Sequence, residues 1–230
     1  MKLNLVNKVY LTIAVTIAAA VVVKQIRYNA GGRYYYAAGV CAPQTFPVYV
    51  REAYLITAND ENVHVDTEDV NYFKGSWRST HFFPEATESN LVPEKLVLNY
   101  AGFRDADFYS DTILLPGEKI RDLFKITLKN NSGDEIYYRG QQKQGLSFMI
   151  GIANKGNIIV WARDKNGETE ILRTKINARE PGGQDTYFGE KMTKAAYLED
   201  RFSLLSDSIK TLIRSGFDAG ANYIDSAALH

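Results

Sequence analysis

Three histidines, one cysteine and two knots of carboxylates are the side chains in this sequence whose types could do chemistry. His64 falls in an apolar-alternating stretch, His81 stands beside Phe82-Phe83-Pro84, and His230 is the last residue. None has a second imidazole at HExxH or HxH spacing, the arrangements that bring two ring nitrogens to one metal. One thiol, Cys41, rules out an internal disulfide, tetrathiolate zinc, CxxC redox chemistry and iron–sulfur clusters, because each takes several sulfurs. No GxSxG seats a serine nucleophile, and neither GxxxxGK[ST] nor GxGxxG cradles a phosphate. Asp105-Ala-Asp107 with Asp111, and Asp60-Glu61 with His64 and Asp66, hold enough oxygens for a hard cation but lack the glycine turn and closing glutamate of a calcium loop. They read as solvated acids of turns and strand edges. No cofactor and no metal ligand set is expected, and no catalytic residue is assigned. A hydrolase would have to draw on His64 or His81 with nearby carboxylates.

Whatever these groups do, a charge asymmetry says where they work. The 230 residues carry 27 basic and 27 acidic side chains, yet the first 41 hold Lys2, Lys8, Lys24, Arg27 and Arg33 with no acid. The remainder is mildly acidic, which argues against a phosphate backbone as partner, since nucleic acids are bound through Lys and Arg clusters. Between the basic residues runs an uncharged stretch from Val9 to Val23, with Tyr10, Leu11, Ile13, Val15, Ile17, Val21 and Val22 as its larger apolar side chains. Basic flanks around such a run are an export pattern. Three readings compete: a buried core helix, which basic flanks at the N-terminus disfavour; an uncleaved anchor in which Lys8 and Lys24 snorkel; and a signal peptide cut at Ala18-Ala19-Ala20. The anchor is preferred, because cleavage would leave Val21-Val22-Val23 as an apolar new end. The expected location is therefore the cell envelope, either anchored in the inner membrane with a periplasmic body or released to the periplasm. Cys41 follows Ala38-Gly39-Val40, with seventeen residues between Val23 and the thiol, which is a poor lipid-attachment context; a small buried core thiol is expected.

The elements that must position these residues are mostly strands. A composition of 45% hydrophobic residues with 6 prolines is that of a globular chain able to bury a core. Pro47–Thr57 and Val63–Asp66 read as a hairpin, and Glu94–Ala101 and Asp107–Leu115 as two further strands. Pro116-Gly117 opens a short helix in which Ile120, Leu123 and Phe124 share a face. Leu146, Phe148, Ile150 and Ile152 alternate, Ile158–Ala162 is apolar throughout, and Asn166-Gly167 turns into Glu170–Ile176: a three-stranded antiparallel meander. From Met192 to Ile213 apolar residues recur at three and four, predicting one long amphipathic helix that stops at Gly216. The expectation is an α+β chain, mainly antiparallel sheet or sandwich-like, with a short mid-chain helix and a long C-terminal helix after an N-terminal hydrophobic helix. Its parts are a signal anchor or signal peptide over 1–24, a tether over 25–41 and a single domain over 42–230.

Aromatic residues are in excess, with 15 Tyr, 11 Phe and 2 Trp. Tyr72, Phe73, Trp77, Arg78, Phe82 and Phe83 concentrate in an irregular region, and aromatic and Arg side chains dominate binding hot spots, so these six are the expected partner-binding residues. The segments Cys41–Val50, Pro93–Leu98 with Asp107-Phe-Tyr109, Leu115-Pro116 with Ile120–Phe124, and Ile150–Asn154 leading to Ile158–Trp161 resemble the bacterial "domain of unknown function 2931" family. The resemblance covers about residues 41–178 and carries no catalytic signature; members are often described as lipoproteins. It implies, through genomic company with secreted phospholipase toxins, an immunity role. The leading expectation is a non-enzymatic, envelope-exposed binding protein that neutralises a type VI lipase, with a protein partner and a membrane contact through the N-terminal segment. The rivals are an envelope hydrolase using His64 or His81, and a structural envelope component.

Overall fold

The computed structural model describes residues 4–29, 32–79, 83–182, 185, 193–221 and 223. His81, Phe82, Met192 and His230 lie outside them. Two compact units divide the chain, residues 1–33 and 34–230.

The first unit is helix α1 (Leu5–Asn29), whose side chains from Val6 to Val23 are all uncovered. Apolar residues lie all round it rather than on one stripe, and by length and composition it is compatible with a signal sequence or a membrane anchor.

In the second unit the elements follow as β1 (Tyr35–Cys41), β2 (Val48–Thr57), β3 (Asn62–His64), α2 (Glu68–Asn71), β4 (Pro93–Gly102), β5 (Asp107–Leu114), α3 (Gly117–Lys129), β6 (Asp134–Tyr138), β7 (Gln141–Ile152), β8 (Asn157–Asp164), β9 (Gly167–Lys175), β10 (Ala178–Arg179), α4 (Lys194–Ser203) and α5 (Asp207–Arg214). They build an α+β unit with two mostly antiparallel five-stranded sheets. One is ordered β1-β7-β8-β9, with β6 paired to the first part of β7; the other is β10-β5-β4-β2-β3. The expected meander is β7-β8-β9, and β8 is buried along most of its length as its continuous apolar run requires. Side chains of both sheets share one core, in which Leu55, Leu96 and Leu98 of one sheet and Phe148, Ile150 and Ile158 of the other are fully buried. Ile120 and Phe124 of α3 close it, with no exposed surface of their own.

The short elements α2, β6 and β10 are not read from the sequence, and two of its readings are overturned. Residues 35–41, read above as part of a tether, form β1, the only parallel pairing among the described strands, with Tyr35 to Cys41 in register with Gly145 to Gly151. Tyr36 is clasped edge-on by Phe148 at 5.4 Å, and the preceding Tyr34 stacks on Phe124 at 4.3 Å. The approach is so close that a Cβ on Gly145 would lie 1.9 Å from the Tyr35 carbonyl oxygen. The long C-terminal helix does not exist. Its apolar rhythm continues across a break, where Leu204 turns out, Leu205 turns in to 3% exposure, and the Ser206 hydroxyl accepts the Ile209 N–H to start a second helix. Serine at that position caps a helix start by satisfying an orphan amide, which spacing alone does not reveal.

Candidate functional site

A polar concavity of about 480 Å³ lies along the side of β1 away from β7. Tyr36, Ala37 and Ala38 line it, with His64 at the end of β3, Asp66 just beyond it, Glu68 and Asp69 of α2, and Phe83 and Glu85. Backbone bonds place these walls. Asp66 bridges β1 through Val40 N–H to its carbonyl at 2.9 Å and through its own N–H to the Ala38 carbonyl at 2.8 Å. Its carboxylate then accepts the Glu68 N–H at 2.9 Å and opens α2. Asn71 at the end of α2 locks the turn onto β2: its amide oxygen takes the Val50 N–H at 2.7 Å and its amide nitrogen donates to the Val50 carbonyl at 2.8 Å, serving as a strand partner where β2 bulges. On the far wall Tyr34 and Asn90 exchange backbone bonds, and Phe83, 61% exposed, leans on Tyr137 with ring centres 4.3 Å apart. The result is an aromatic rim over a cleft with four carboxylates and one imidazole.

The two acid knots seen in the sequence separate. Asp60 and Glu61 sit at the β2–β3 turn, away from the cleft that His64 and Asp66 line. Asp105 accepts the Lys155 N–H at 2.6 Å, a bond that holds Lys155 at a φ of 57°. Asp107 pairs with Lys194 at 2.9 Å, and Asp111 accepts the Thr112 N–H. Among the described residues no three His, Cys, Asp or Glu side chains converge on a point where a metal ion would sit.

The six aromatic and Arg residues expected to bind a partner also fall in different places. Tyr72 and Phe83 are exposed, whereas Phe73 is half-buried edge-on to Phe103 at 5.8 Å, and Phe82 lies outside the described residues. Trp77 is half-buried between Trp161 and Tyr223, with ring centres 5.7 and 5.6 Å away. Arg78 lies over Trp161 and bonds Glu168 at 2.7 Å, and Arg163 bonds the same carboxylate at 2.6 Å. Burial works against the Glu168 charge, but the two guanidinium bonds outweigh it and hold its carboxyl below the usual range. Around this clamp lies a second, wider concavity of about 650 Å³. Cys41 sits beneath it, fully buried against Met149, Ile159 and Trp161, and burial pushes its thiol up to about 12, too high to supply a thiolate nucleophile at neutral pH.

A further cluster gave no local signal because it joins three distant segments, around Thr45, Arg104 and Asp218. Arg104 bonds Asp218 and the Thr45 carbonyl at 2.8 and 3.0 Å and the Phe217 carbonyl at 2.6 Å, and its guanidinium lies 4.5 Å from the Phe46 ring centre. Asp218 also accepts from Thr45 and from Tyr223. The segment after α5 is thereby clasped to the body.

These motifs sit inside a recognisable whole, for the model of a family described as "protein of unknown function (DUF2931)" matches residues 25–214. The chain belongs to the DUF2931 family. No curated protein and no solved structure matches it. The matched region of this DUF2931 chain contains both concavities and β1, and it ends before the Asp218 clasp.

Proposed function

We propose that this DUF2931 protein is a non-enzymatic binding protein of the bacterial envelope, with its β-rich body outside the cytoplasm. Its partner is a protein, such as a secreted type VI phospholipase toxin that it neutralises as an immunity protein. The observation that carries the reading is the open cleft beside β1, where an exposed aromatic, Phe83, overhangs carboxylates that an approaching basic surface would meet before contact. The groups best suited to chemistry support it, because they are committed elsewhere: Cys41 to the core, Glu168 to two arginines, Asp105 to a backbone amide. Uncovered apolar side chains along α1 support the envelope location.

The test is co-expression of the full chain with the product of the adjacent gene, reading complex formation and protection from toxicity. A complex that Phe83→Ala weakens, with protection lost in step, supports the reading; neither complex nor protection overturns it. The hydrolase rival uses the same cleft through His64, and a lipase or esterase activity lost in His64→Ala would favour it instead.

A further inference from the structure

We infer that α1 stays on the mature protein as a membrane anchor, and that Cys41 is a core thiol and not a lipid-attachment point. The inference rests on the envelope part of the reading above and decides how the chain is held there. Lipid attachment leaves the modified cysteine as the first residue of the mature chain, so processing at Cys41 would remove residues 1–40. With them would go nearly all of β1, whose Tyr36, Ala37, Ala38 and Val40 are each at most 5% exposed and whose register with β7 runs the full seven residues. The core would lose the ring packed against Phe124 and Phe148, and Cys41 itself has no exposed surface for a lipid chain to leave from.

Cleavage at Ala18-Ala19-Ala20 meets a different obstacle. A peptidase takes its substrate extended at a small-residue site, whereas α1 runs unbroken from Leu5 to Asn29, across those alanines and through the polar residues beyond them. A cut there would also start the mature chain with Val21, Val22 and Val23, which are 60, 56 and 49% exposed and would face water. Left whole, the hydrophobic stretch Val6–Val23 is 18 residues long and includes Asn7 and Lys8. At a rise of 1.5 Å per residue it spans about 27 Å, of which the uncharged part from Val9 to Val23 makes up about 22 Å, so it reaches across the ~30 Å hydrocarbon layer with the Lys8 ammonium snorkelling to the interface. The hydroxyls of Thr12 and Thr16 each donate to the carbonyl four residues back, at 3.0 and 2.9 Å, so neither enters lipid unbonded, and the Tyr10 phenol lies near the end of the stretch, where a tyrosine suits the interface.

The experiment is intact mass and N-terminal sequence of the full chain, tagged at its C-terminal end and recovered from membrane and soluble fractions after alkaline carbonate washing, beside Cys41→Ala. The expected result is a chain beginning ahead of Val9, in the membrane fraction, with no added lipid mass and the same fractionation in Cys41→Ala. A chain that begins between Ala19 and Val21 in the soluble fraction overturns retention and leaves the binding function standing. A chain beginning at a lipid-modified Cys41, with Cys41→Ala unprocessed, overturns the whole inference. An unprocessed chain in the soluble fraction overturns the anchor and the envelope location together.

Discussion

Two buried tyrosines make a matched test of the core. Tyr36 and Tyr100 are 1% and 2% exposed, and each packs its ring on another aromatic, yet their hydroxyls stand differently. The Tyr36 hydroxyl donates to the Leu91 carbonyl at 2.8 Å, while the Tyr100 hydroxyl is buried with no hydrogen-bond partner among the described residues. Phenylalanine keeps both rings and removes only the oxygen. Tyr36→Phe strips the Leu91 carbonyl of a buried donor and is expected to cost about 1–2 kcal/mol. Tyr100→Phe removes a hydroxyl that lost its water on folding and gained nothing, so it is expected to be neutral or stabilising by about 1 kcal/mol. For a chain of this size each kcal/mol moves the melting temperature by about 2–4 °C. Thermal unfolding in mild detergent, followed by near-ultraviolet circular dichroism, should put Tyr36→Phe about 2–8 °C below the parent and Tyr100→Phe level with it or above. Equal losses in the two variants would refute the reasoning, and so would a Tyr100→Phe loss greater than about 1 kcal/mol.

Further expectations come from the sheet, the arginine clamp and the C-terminal clasp. Gly145→Ala drives a Cβ into the Tyr35 carbonyl and must push β1 off β7; a loss of about 3 kcal/mol or more is expected, and a melt within 1 °C of the parent would refute it. Glu168 has a folded pKa below its unfolded one, so its stabilisation is complete above about pH 4.5 and is lost as pH falls through the folded value. Parallel melts of the parent and Glu168→Gln should therefore converge as pH drops from about 6 to about 3, and a constant gap would refute the assignment. Arg104→Ala removes the partner of a carboxylate whose side chain is 15% exposed, and about 3 kcal/mol should go with it; limited proteolysis should then cut first in residues 217–223, and unchanged protection would count against the clasp.

Much of the scaffold is legible in the sequence where local chemistry and tertiary demand agree. Leu146, Phe148, Ile150 and Ile152 alternate toward one core, and Asn166-Gly167 is a turn wherever it occurs between such runs, so β7, β8 and β9 follow from patterning. β1 does not, because a strand buried along nearly its whole length shows no alternation, and Tyr-Tyr-Ala-Ala-Gly-Val-Cys reads equally as a linker. The C-terminal helix misleads for the opposite reason: apolar spacing survives a break that one serine cap decides. At the cleft His64 and Asp66 are near in sequence and stay near in space, but their opposite wall, Phe83 and Glu85, arrives through Tyr137 of β6, a contact across more than fifty residues. The arginine clamp and the Trp77 plug are hidden in the same way, since Glu168 and Tyr223 come from distant segments.

The parallel pairing of β1 with β7 sets an order of events in the life of each new chain. Tyr35 emerges from the ribosome 110 residues before Gly145, the partner it must lie beside. Until then a stretch of Tyr, Ala, Val and Cys lacks the strand it must lie beside, and closing so large a loop is among the slower steps a chain can take. The first two-thirds of synthesis thus produces a polypeptide unable to shut its own interior, a condition that suits passage through a narrow conduit and leaves a sticky edge in need of a guardian until the last strands arrive.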